Sequence, residues 1–231
     1  MRHRIAGTML ALAAAAGNAA AMEGDVERGR AVVVGAPPSA WETRPNRDVS
    51  CLACHGILGA GDAGAAYPRL AGLAPFYMYK QLKDYATGRR RNALMEPIAR
   101  ALGDEAMRDV SVFYGAQDIG FGPPPPASPE LLAAGRAIAR DGIPERGVQP
   151  CAVCHGAQGE GIPPALPALA GQHASYLEDQ LLQWKRGQRD NDPLGSMAAI
   201  AERLTADEVR AVSVWYATQR PPDTVSSAPP P

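Results

Sequence analysis

A five-residue pattern with two cysteines and a histidine occurs twice in this chain and accounts for all of its cysteines. CLACH begins at residue 51 and CAVCH at residue 151, and glycines follow each of them. The two halves of the chain are similar beyond the motifs as well. YMYKQLKDYATG from residue 77 matches YLEDQLLQWKRG from residue 176, and VSVFY from residue 110 matches VSVWY from residue 212. Matches in the same order along both halves predict a duplicated domain of about 100 residues.

Helix signals occur at corresponding places in both copies. Asp25 and Ser128 are predicted to cap the first helix of each copy, and Pro129 suits the first helical position after Ser128. Thr205 and Glu208 form the pattern of a capping box before the last helix. No segment sustains the alternation of apolar and polar residues that a half-buried strand shows, so the sequence predicts an all-α fold.

The N-terminus has the pattern of a secretory signal peptide. Arg2 and Arg4 precede a short apolar run, and small residues end at Ala21, where we expect cleavage. The apolar run is too short to cross a bilayer, which needs about 20 residues. We therefore expect an exported protein with a periplasmic location.

A proline-rich segment between the two copies predicts the domain boundary. GFGPPPPASP, which links the two copies, favours an extended, semi-rigid spacer. The expected divisions are a signal peptide at residues 1–21, a first domain at 22–119, a linker at 120–129, a second domain at 130–220 and a disordered proline-rich tail at 221–231.

Four kinds of chemistry use cysteines at this spacing. A disulfide across two intervening residues would be strained, a thioredoxin-like redox pair needs a βαβ setting, and a zinc site that joins both cysteine pairs leaves the histidines unexplained. Covalent haem uses every residue of the motif, because two thiols form thioethers with the haem vinyl groups and the histidine ligates the iron. The sequence therefore predicts two covalently bound haem c groups. The predicted attachment residues are Cys51, Cys54, Cys151 and Cys154, and the predicted proximal iron ligands are His55 and His155.

Counting residues narrows the choice of distal iron ligand. Without the signal peptide the histidines are His55, His155 and His173, so the first copy has no second histidine to offer. The second copy contains a single methionine, Met197, and it aligns with Met95 of the first copy. Core packing would also explain both methionines. Each is expected in a loop before the last helix of its copy, and we predict that they are the distal ligands.

These motifs resemble those of the dihaem cytochromes c of the c4 type. The resemblance is carried by CAVCHGAQGEG, PALAGQHASYLEDQLLQWKRGQRDND and AERLTADEVRAVSVWYATQ in the second copy, and by CLACHG, YPRLAG and DVSVFYGAQ in the first. It implies two tandem class I cytochrome c domains, each a small helical fold around one haem c. It further implies that the carbonyl groups of Pro68 and Pro167 accept hydrogen bonds from the proximal histidines. Gly29 and Gly135 would let the first helix of each domain cross closely over the aromatic pair of the last.

Charge disfavours one class of partner and distinguishes the two copies. After removal of residues 1–21 the chain has 21 basic and 24 acidic side chains, so nucleic acid is not an expected partner. The acidic excess lies in the second copy, whereas the first contains the run Arg89-Arg90-Arg91. We interpret that run either as a solvated face or as a site for haem propionates or a docking partner.

With histidine and methionine on each iron, the expected chemistry is outer-sphere electron transfer by a carrier rather than catalysis by an enzyme. The carrier would shuttle single electrons from respiratory-chain donors to a terminal oxidase or reductase. Expected partners are redox proteins such as a membrane oxidase, a quinol-cytochrome c oxidoreductase or a periplasmic dehydrogenase, and a peripheral position at the membrane surface suits them. Two alternatives stay open: the cytochrome subunit of a flavin- or quinone-cofactor dehydrogenase complex, and a dihaem peroxidase, which the histidine count of the first copy disfavours.

Overall fold

The computed structural model describes residues 22–35 and 50–220. The predicted signal peptide at 1–21 and tail at 221–231 lie outside the described residues, as do residues 36–49 before the first motif. No helix within the described ranges combines the length and the apolarity needed to span a membrane.

The described chain is helical, with isolated bridges between single residues as its β-structure. This confirms the predicted all-α fold. The helices of the first copy are α1 (Val26–Val33), α2 (Leu52–His55), α3 (Pro75–Thr87), α4 (Met95–Ala101) and α5 (Asp104–Gly115). Those of the second copy are α6 (Pro129–Asp141), α7 (Ala152–His155), α8 (Ala174–Lys185), α9 (Ser196–Arg203) and α10 (Ala206–Thr218), with short 3-10 turns at Pro144–Arg146 and Pro193–Gly195.

Corresponding helices of the two copies make corresponding contacts. The first helix of each copy packs on the last, α1 on α5 and α6 on α10, while α3 and α8 cover the short helices α4 and α9. Each copy has its own apolar core, with Val33 and Tyr114 among the most buried residues of one, and Val209 and Tyr216 of the other. The two cores make two domains, each built around the crossing of its terminal helices.

The predicted helix caps are confirmed. The Asp25 carboxylate accepts a hydrogen bond from the Arg28 amide at 2.8 Å, which satisfies one of the free N–H groups at the start of α1. Ser128 caps α6 with Pro129 in the first turn. Thr205 and Glu208 form a complete capping box at the start of α10.

Glycine permits the close crossing of the terminal helices. A Cβ atom at Gly29 would lie 2.1 Å from the Asp109 carbonyl oxygen and 2.7 Å from the Phe113 Cβ. A Cβ at Gly135 would lie 2.2 Å from the Ala211 carbonyl oxygen and 2.7 Å from the Trp215 Cβ. Because a non-bonded carbon cannot approach an oxygen so closely, the crossing distance in both domains requires a residue without a side chain.

Arginines from both domains hold the first part of the connecting segment. Arg69 donates to the Ile119 carbonyl at 2.6 Å, directly before the linker, and to the Gly120 carbonyl at 3.1 Å. Arg220 donates to the Gly122 carbonyl at 2.8 Å. Both guanidinium groups also lie over the ring of Phe121, at 4.8 and 4.9 Å from its centroid. The beginning of the segment is therefore fixed to each domain by polar and cation–π contacts.

Candidate functional site

Each CxxCH motif forms a single short helix whose histidine points inward. His55 ends α2 and His155 ends α7, and both side chains are buried. A glycine with positive φ follows each histidine and turns the chain sharply. The next glycines allow a close approach, because a Cβ at Gly61 would lie 2.6 Å from the Pro68 carbonyl oxygen. The glycines that follow the motif thus bring the proline loop against the histidine.

The proline carbonyl orients the imidazole in both domains. His55 donates from Nδ1 to the Pro68 oxygen at 3.0 Å, and His155 donates from Nδ1 to the Pro167 oxygen at 2.9 Å. Burial lowers the pKa of both histidines, against the opposing effect of this hydrogen bond, so the rings are neutral at neutral pH. A neutral imidazole with its proton on Nδ1 presents the Nε2 lone pair to a metal.

The cysteines lie in less buried positions than the histidines. Cys51, Cys54 and Cys151 are half-buried and Cys154 is exposed. Burial of its sulfur raises the pKa of Cys151 to about 11, so this group is a neutral thiol at physiological pH.

Met95 and Met197 occupy short helices rather than loops, which corrects the sequence prediction. Met95 is the first residue of α4, and Met197 lies in the first turn of α9. Asn92 accepts from the Met95 amide at 2.9 Å, whereas Asp192 accepts from the Met197 amide at 2.7 Å. These polar side chains satisfy N–H groups at the helix starts and so allow the chain to form an additional turn of helix. Both methionines are half-buried at corresponding places in their domains.

A zinc site that joins the two cysteine pairs is not assembled. Among the described residues, no group of three or more His, Cys, Asp or Glu side chains lies close enough together to hold a metal ion. The histidine of each CxxCH motif instead contacts the proline loop of its own domain.

The two domains meet through a polar cluster that contains two buried arginines. Arg90 is 3% exposed and Arg189 is 4% exposed, and their backbones form an antiparallel bridge across the domain boundary. Arg90 donates to Gln81 at 2.9 Å within its own domain and to Gln180 of the other domain at 2.6 Å. Arg189 likewise donates to Gln180 at 2.8 Å. We call this group the arginine interface; its members are Tyr77, Gln81, Asp84, Arg90, Tyr176, Gln180, Arg189 and Asn191.

The positive charge of the arginine interface exceeds what its own carboxylate neutralises. Asp84 is ion-paired with Lys80 and accepts from the Asn191 side-chain amide at 2.6 Å. Among the described ion pairs, none includes Arg90 or Arg189. Burial works to raise the pKa of Tyr77, but the nearby cations Arg189, Arg90 and Lys80 together lower it, and the net shift is downward.

The structure also divides the arginine run of the first copy. Arg89 and Arg91 are exposed, as expected for a solvated face, but Arg90 lies inside the domain boundary. The sequence analysis did not identify the arginine interface. A signal was available, because both copies carry Tyr-x-x-x-Gln followed by Gly-x-Arg at matching positions. Polar residues that repeat on a buried helix face indicate a contact between the repeats.

Comparisons with known proteins agree with this geometry. The profile of the Cytochrome c family matches the chain twice, over residues 41–119 and 133–215. The thiosulfate dehydrogenase electron acceptor of Thiomonas intermedia (strain K12) is 39% identical over 184 residues, which are 80% of this chain and 85% of that protein. Cytochrome c4 of Thiocapsa roseopersicina is 40% identical over 180 residues, which are 77% of this chain and 90% of that protein.

The fold is also similar to that of a solved structure. The thiosulfate dehydrogenase (TsdBA) from Marichromatium purpuratum in its "as isolated" form superimposes with a TM-score of 0.75 and 37% identity over 84% of this chain. This chain spans 40% of the length of that larger chain.

Two helical domains, each with a CxxCH helix and a buried histidine held by a proline carbonyl, define a tandem class I cytochrome c. The chain belongs to the cytochrome c family, in which it is a dihaem electron-transfer cytochrome of the c4 type. Its cofactors are two covalently bound haem c groups, as the sequence predicted.

The residues around each motif fit haem c. In both domains the imidazole is buried, neutral and held from Nδ1, as an iron ligand requires. Large apolar side chains are exposed around the motifs, a surface suited to contact with a flat apolar macrocycle; they include Leu52, Ile57 and Leu58 in the first domain and Val153 and Ile162 in the second.

Proposed function

We propose that the protein carries single electrons in the periplasm from a thiosulfate dehydrogenase to a second redox protein, such as a membrane oxidase. The donor is inferred from one observation: 80% of this chain aligns at 39% identity with a thiosulfate dehydrogenase electron acceptor. The similarity to part of the TsdBA chain supports the same donor. A cytochrome subunit of a dehydrogenase complex was one of the alternatives that the sequence left open, and the periplasmic location is that expected from residues 1–21.

Haem c, when bound, supplies a one-electron couple at its iron. We assign covalent attachment to Cys51 and Cys54 in the first domain and to Cys151 and Cys154 in the second. His55 and His155 would be the proximal ligands, oriented by Pro68 and Pro167. Met95 and Met197 would be the distal ligands. Because the chain would then supply two ligands to each iron, no coordination site would be left for a substrate, which favours outer-sphere transfer over peroxidase chemistry.

We assign Arg90 and Arg189 to the haem propionates. These are buried guanidinium groups, and their hydrogen bonds go to neutral amide and hydroxyl oxygens. A buried cation is costly without an anion, and arginine pairs well with a carboxylate because it can donate two parallel hydrogen bonds. The haem propionates of both sites would supply the negative charge that the two arginines need at the domain boundary. The two haems would then lie on either side of the arginine interface.

Rapid mixing tests the proposed donor. The fully loaded, oxidised protein would be mixed with thiosulfate and a catalytic amount of thiosulfate dehydrogenase, and haem reduction would be followed by absorbance. We expect reduction of both haems at a rate proportional to the dehydrogenase concentration. Thiosulfate alone, and the dehydrogenase without thiosulfate, are the matched controls. Intact mass, which should exceed that of the polypeptide by two haem groups, establishes loading beforehand.

An assay with a different electron donor can contradict the proposal. A quinol-cytochrome c oxidoreductase with reduced quinol would be assayed under the same conditions. Reduction by that enzyme together with no response to the thiosulfate system would contradict the proposed donor and favour a general respiratory carrier. Co-purification from the native periplasm would then show whether a dehydrogenase forms a stable complex with this chain.

A further inference from the structure

The start of α8, in the second domain, lies against the loops that form the first haem site. Gln172 contacts the main chain of Arg69 in the proline loop of the first domain. His173 donates from Nε2 to the Ala60 carbonyl oxygen at 2.9 Å, and the Ser175 hydroxyl donates to the Ala63 carbonyl oxygen at 2.7 Å. Residues 60–63 closely follow the first CxxCH helix. The second domain therefore contacts both segments that surround His55.

Gln172 makes the most specific of these contacts. Its side chain is 5% exposed and forms two hydrogen bonds with one residue. Its amide oxygen accepts from the Arg69 N–H at 2.9 Å, and its amide nitrogen donates to the Arg69 carbonyl oxygen at 2.8 Å. This pattern resembles the pairing of two strands and fixes both the position and the orientation of the Arg69 main chain.

The peptide unit that Gln172 holds is the one that orients His55. The Pro68 carbonyl and the Arg69 N–H belong to the same amide group, and the carbonyl accepts from His55 Nδ1 at 3.0 Å. Gln172, the peptide and His55 therefore form a continuous chain of hydrogen bonds across the domain boundary. An amide whose N–H is bonded is polarised, and its carbonyl becomes a stronger acceptor.

The second haem site lacks this arrangement. When the two copies are aligned, Ala168 takes the place of Arg69, and Leu73 takes the place of Gln172. The leucine side chain can neither accept nor donate a hydrogen bond. Within the described residues, no side chain of the first domain holds the Pro167–Ala168 peptide. The contact therefore acts on one of two otherwise similar sites.

We infer that Gln172 is a positioning residue for the first haem site, which strengthens the His55–Pro68 hydrogen bond from the neighbouring domain and lowers the reduction potential of that haem. A stronger hydrogen bond from Nδ1–H increases the negative charge on the imidazole, and this stabilises the oxidised iron. Domain contact would thus set part of the difference in potential between the two haems. The inference rests on the proposed ligation of the first haem by His55.

Gln172→Leu removes both hydrogen bonds to Arg69 and is the test. We expect the potential of the first haem to rise while that of the second stays unchanged, as measured by redox titration with the haem methyl resonances assigned by NMR. In the reduced, diamagnetic protein the His55 Nδ1–H resonance should move upfield, because its hydrogen bond is weaker, and the His155 resonance should not move. Ser175→Ala is the matched control, since it removes a neighbouring contact between the domains without touching this peptide, and it should leave both potentials and both resonances in place.

Gln172→Glu gives a rescue that a general loss of packing would not show. In its neutral form, which burial favours, the glutamic acid accepts from the Arg69 N–H, and its O–H donates to the Arg69 carbonyl oxygen as the Gln172 amide does. We therefore expect the His55 Nδ1–H resonance to stay near its original position. Unchanged potentials and resonances in Gln172→Leu, or equal changes at both haems, would overturn the inference. If His55 does not ligate the first haem at all, the unmodified protein would lack a His55 ring signal shifted by the haem ring current. That result would distinguish an error in the proposed ligation from an error in the role of Gln172.

Discussion

Arg90 and Arg189 pair through their backbones across the boundary between the two domains, and both send their side chains into it. The pair relates the two copies by an approximate symmetry, since each arginine reaches the glutamine of the opposite domain, Gln180 from Arg90 and Gln81 from Arg189. The duplication thus produced a contact surface as well as two redox sites.

Arg90 is expected to matter far more for stability than its neighbours in the arginine run. Arg90→Met removes the hydrogen bonds that the buried guanidinium donates to Gln81, Tyr176 and Gln180. Hydrogen bonds to charged groups contribute about 1.5–3 kcal/mol each. We expect the loaded protein to lose at least about 2 kcal/mol of unfolding free energy, measured by guanidinium denaturation. Arg91→Met, at an exposed position, is the control and should change stability by less than about 0.5 kcal/mol. Equal effects of the two substitutions would show that the buried contacts contribute nothing specific.

Met95 and Met197 are expected to behave as two independent distal ligands. The oxidised protein should show the weak long-wavelength absorption band of iron bound to methionine sulfur. Met95→Ala and Met197→Ala should each remove about half of that band and lower the potential of one haem, because an axial methionine raises the potential. Met78→Ala tests for a general packing effect, since Met78 is a buried core residue; it should destabilise the first domain and keep the band. Retention of the full band in both ligand variants would rule out the assignment.

A side chain at Gly29 or Gly135, where the first and last helices of each domain cross, is expected to destabilise the protein. Gly29→Ala and Gly135→Ala each place a methyl group within about 2 Å of a main-chain oxygen, and we expect each to cost about 3 kcal/mol, the upper part of the range for overpacking. Gly103→Ala is the control, because no atom lies within 4 Å of the position that its methyl group would take. Thermal unfolding of the three loaded variants would check the ranking. A Gly29 variant as stable as the Gly103 variant would mean that the helices can separate at little cost.

Ser111 and Ser213 offer a matched test of buried hydroxyl groups at corresponding positions of α5 and α10. Ser111 donates to the Met107 carbonyl oxygen at 2.6 Å, whereas the buried Ser213 hydroxyl has no hydrogen-bond partner in the described part of the chain. Ser111→Ala should therefore cost about 1 kcal/mol, and Ser213→Ala should stabilise the protein by about 1 kcal/mol. Denaturant titration of both variants gives the comparison. Destabilisation of equal size at the two sites would contradict the predicted difference.

Local sequence signals were sufficient for much of the fold. The caps at Asp25, Ser128 and Thr205 depend on side chains that bond to amides two or three residues away, so their pattern is visible in the sequence. The placement of Met95 and Met197 in loops was wrong for a related reason. Asn92 and Asp192 are also local signals for a helix start, but the short helices they begin have little periodicity from which to be recognised.

The sequence by itself determined the chemistry of this protein: the duplicated CxxCH motifs, the histidine count and the aligned methionines all depend on residue identity and spacing, which the chain carries directly. Only the tertiary structure decided how the two sites communicate. In the sequence, Arg90 belongs to a run of charged residues typical of a surface, but packing against the second domain buries it. Gln172 lies just before a helix in the sequence, and only the structure shows that its amide bonds to the Arg69 peptide. Contacts between residues about 100 positions apart depend on how two finished domains dock, and docking is set by the combined shape and charge of both surfaces.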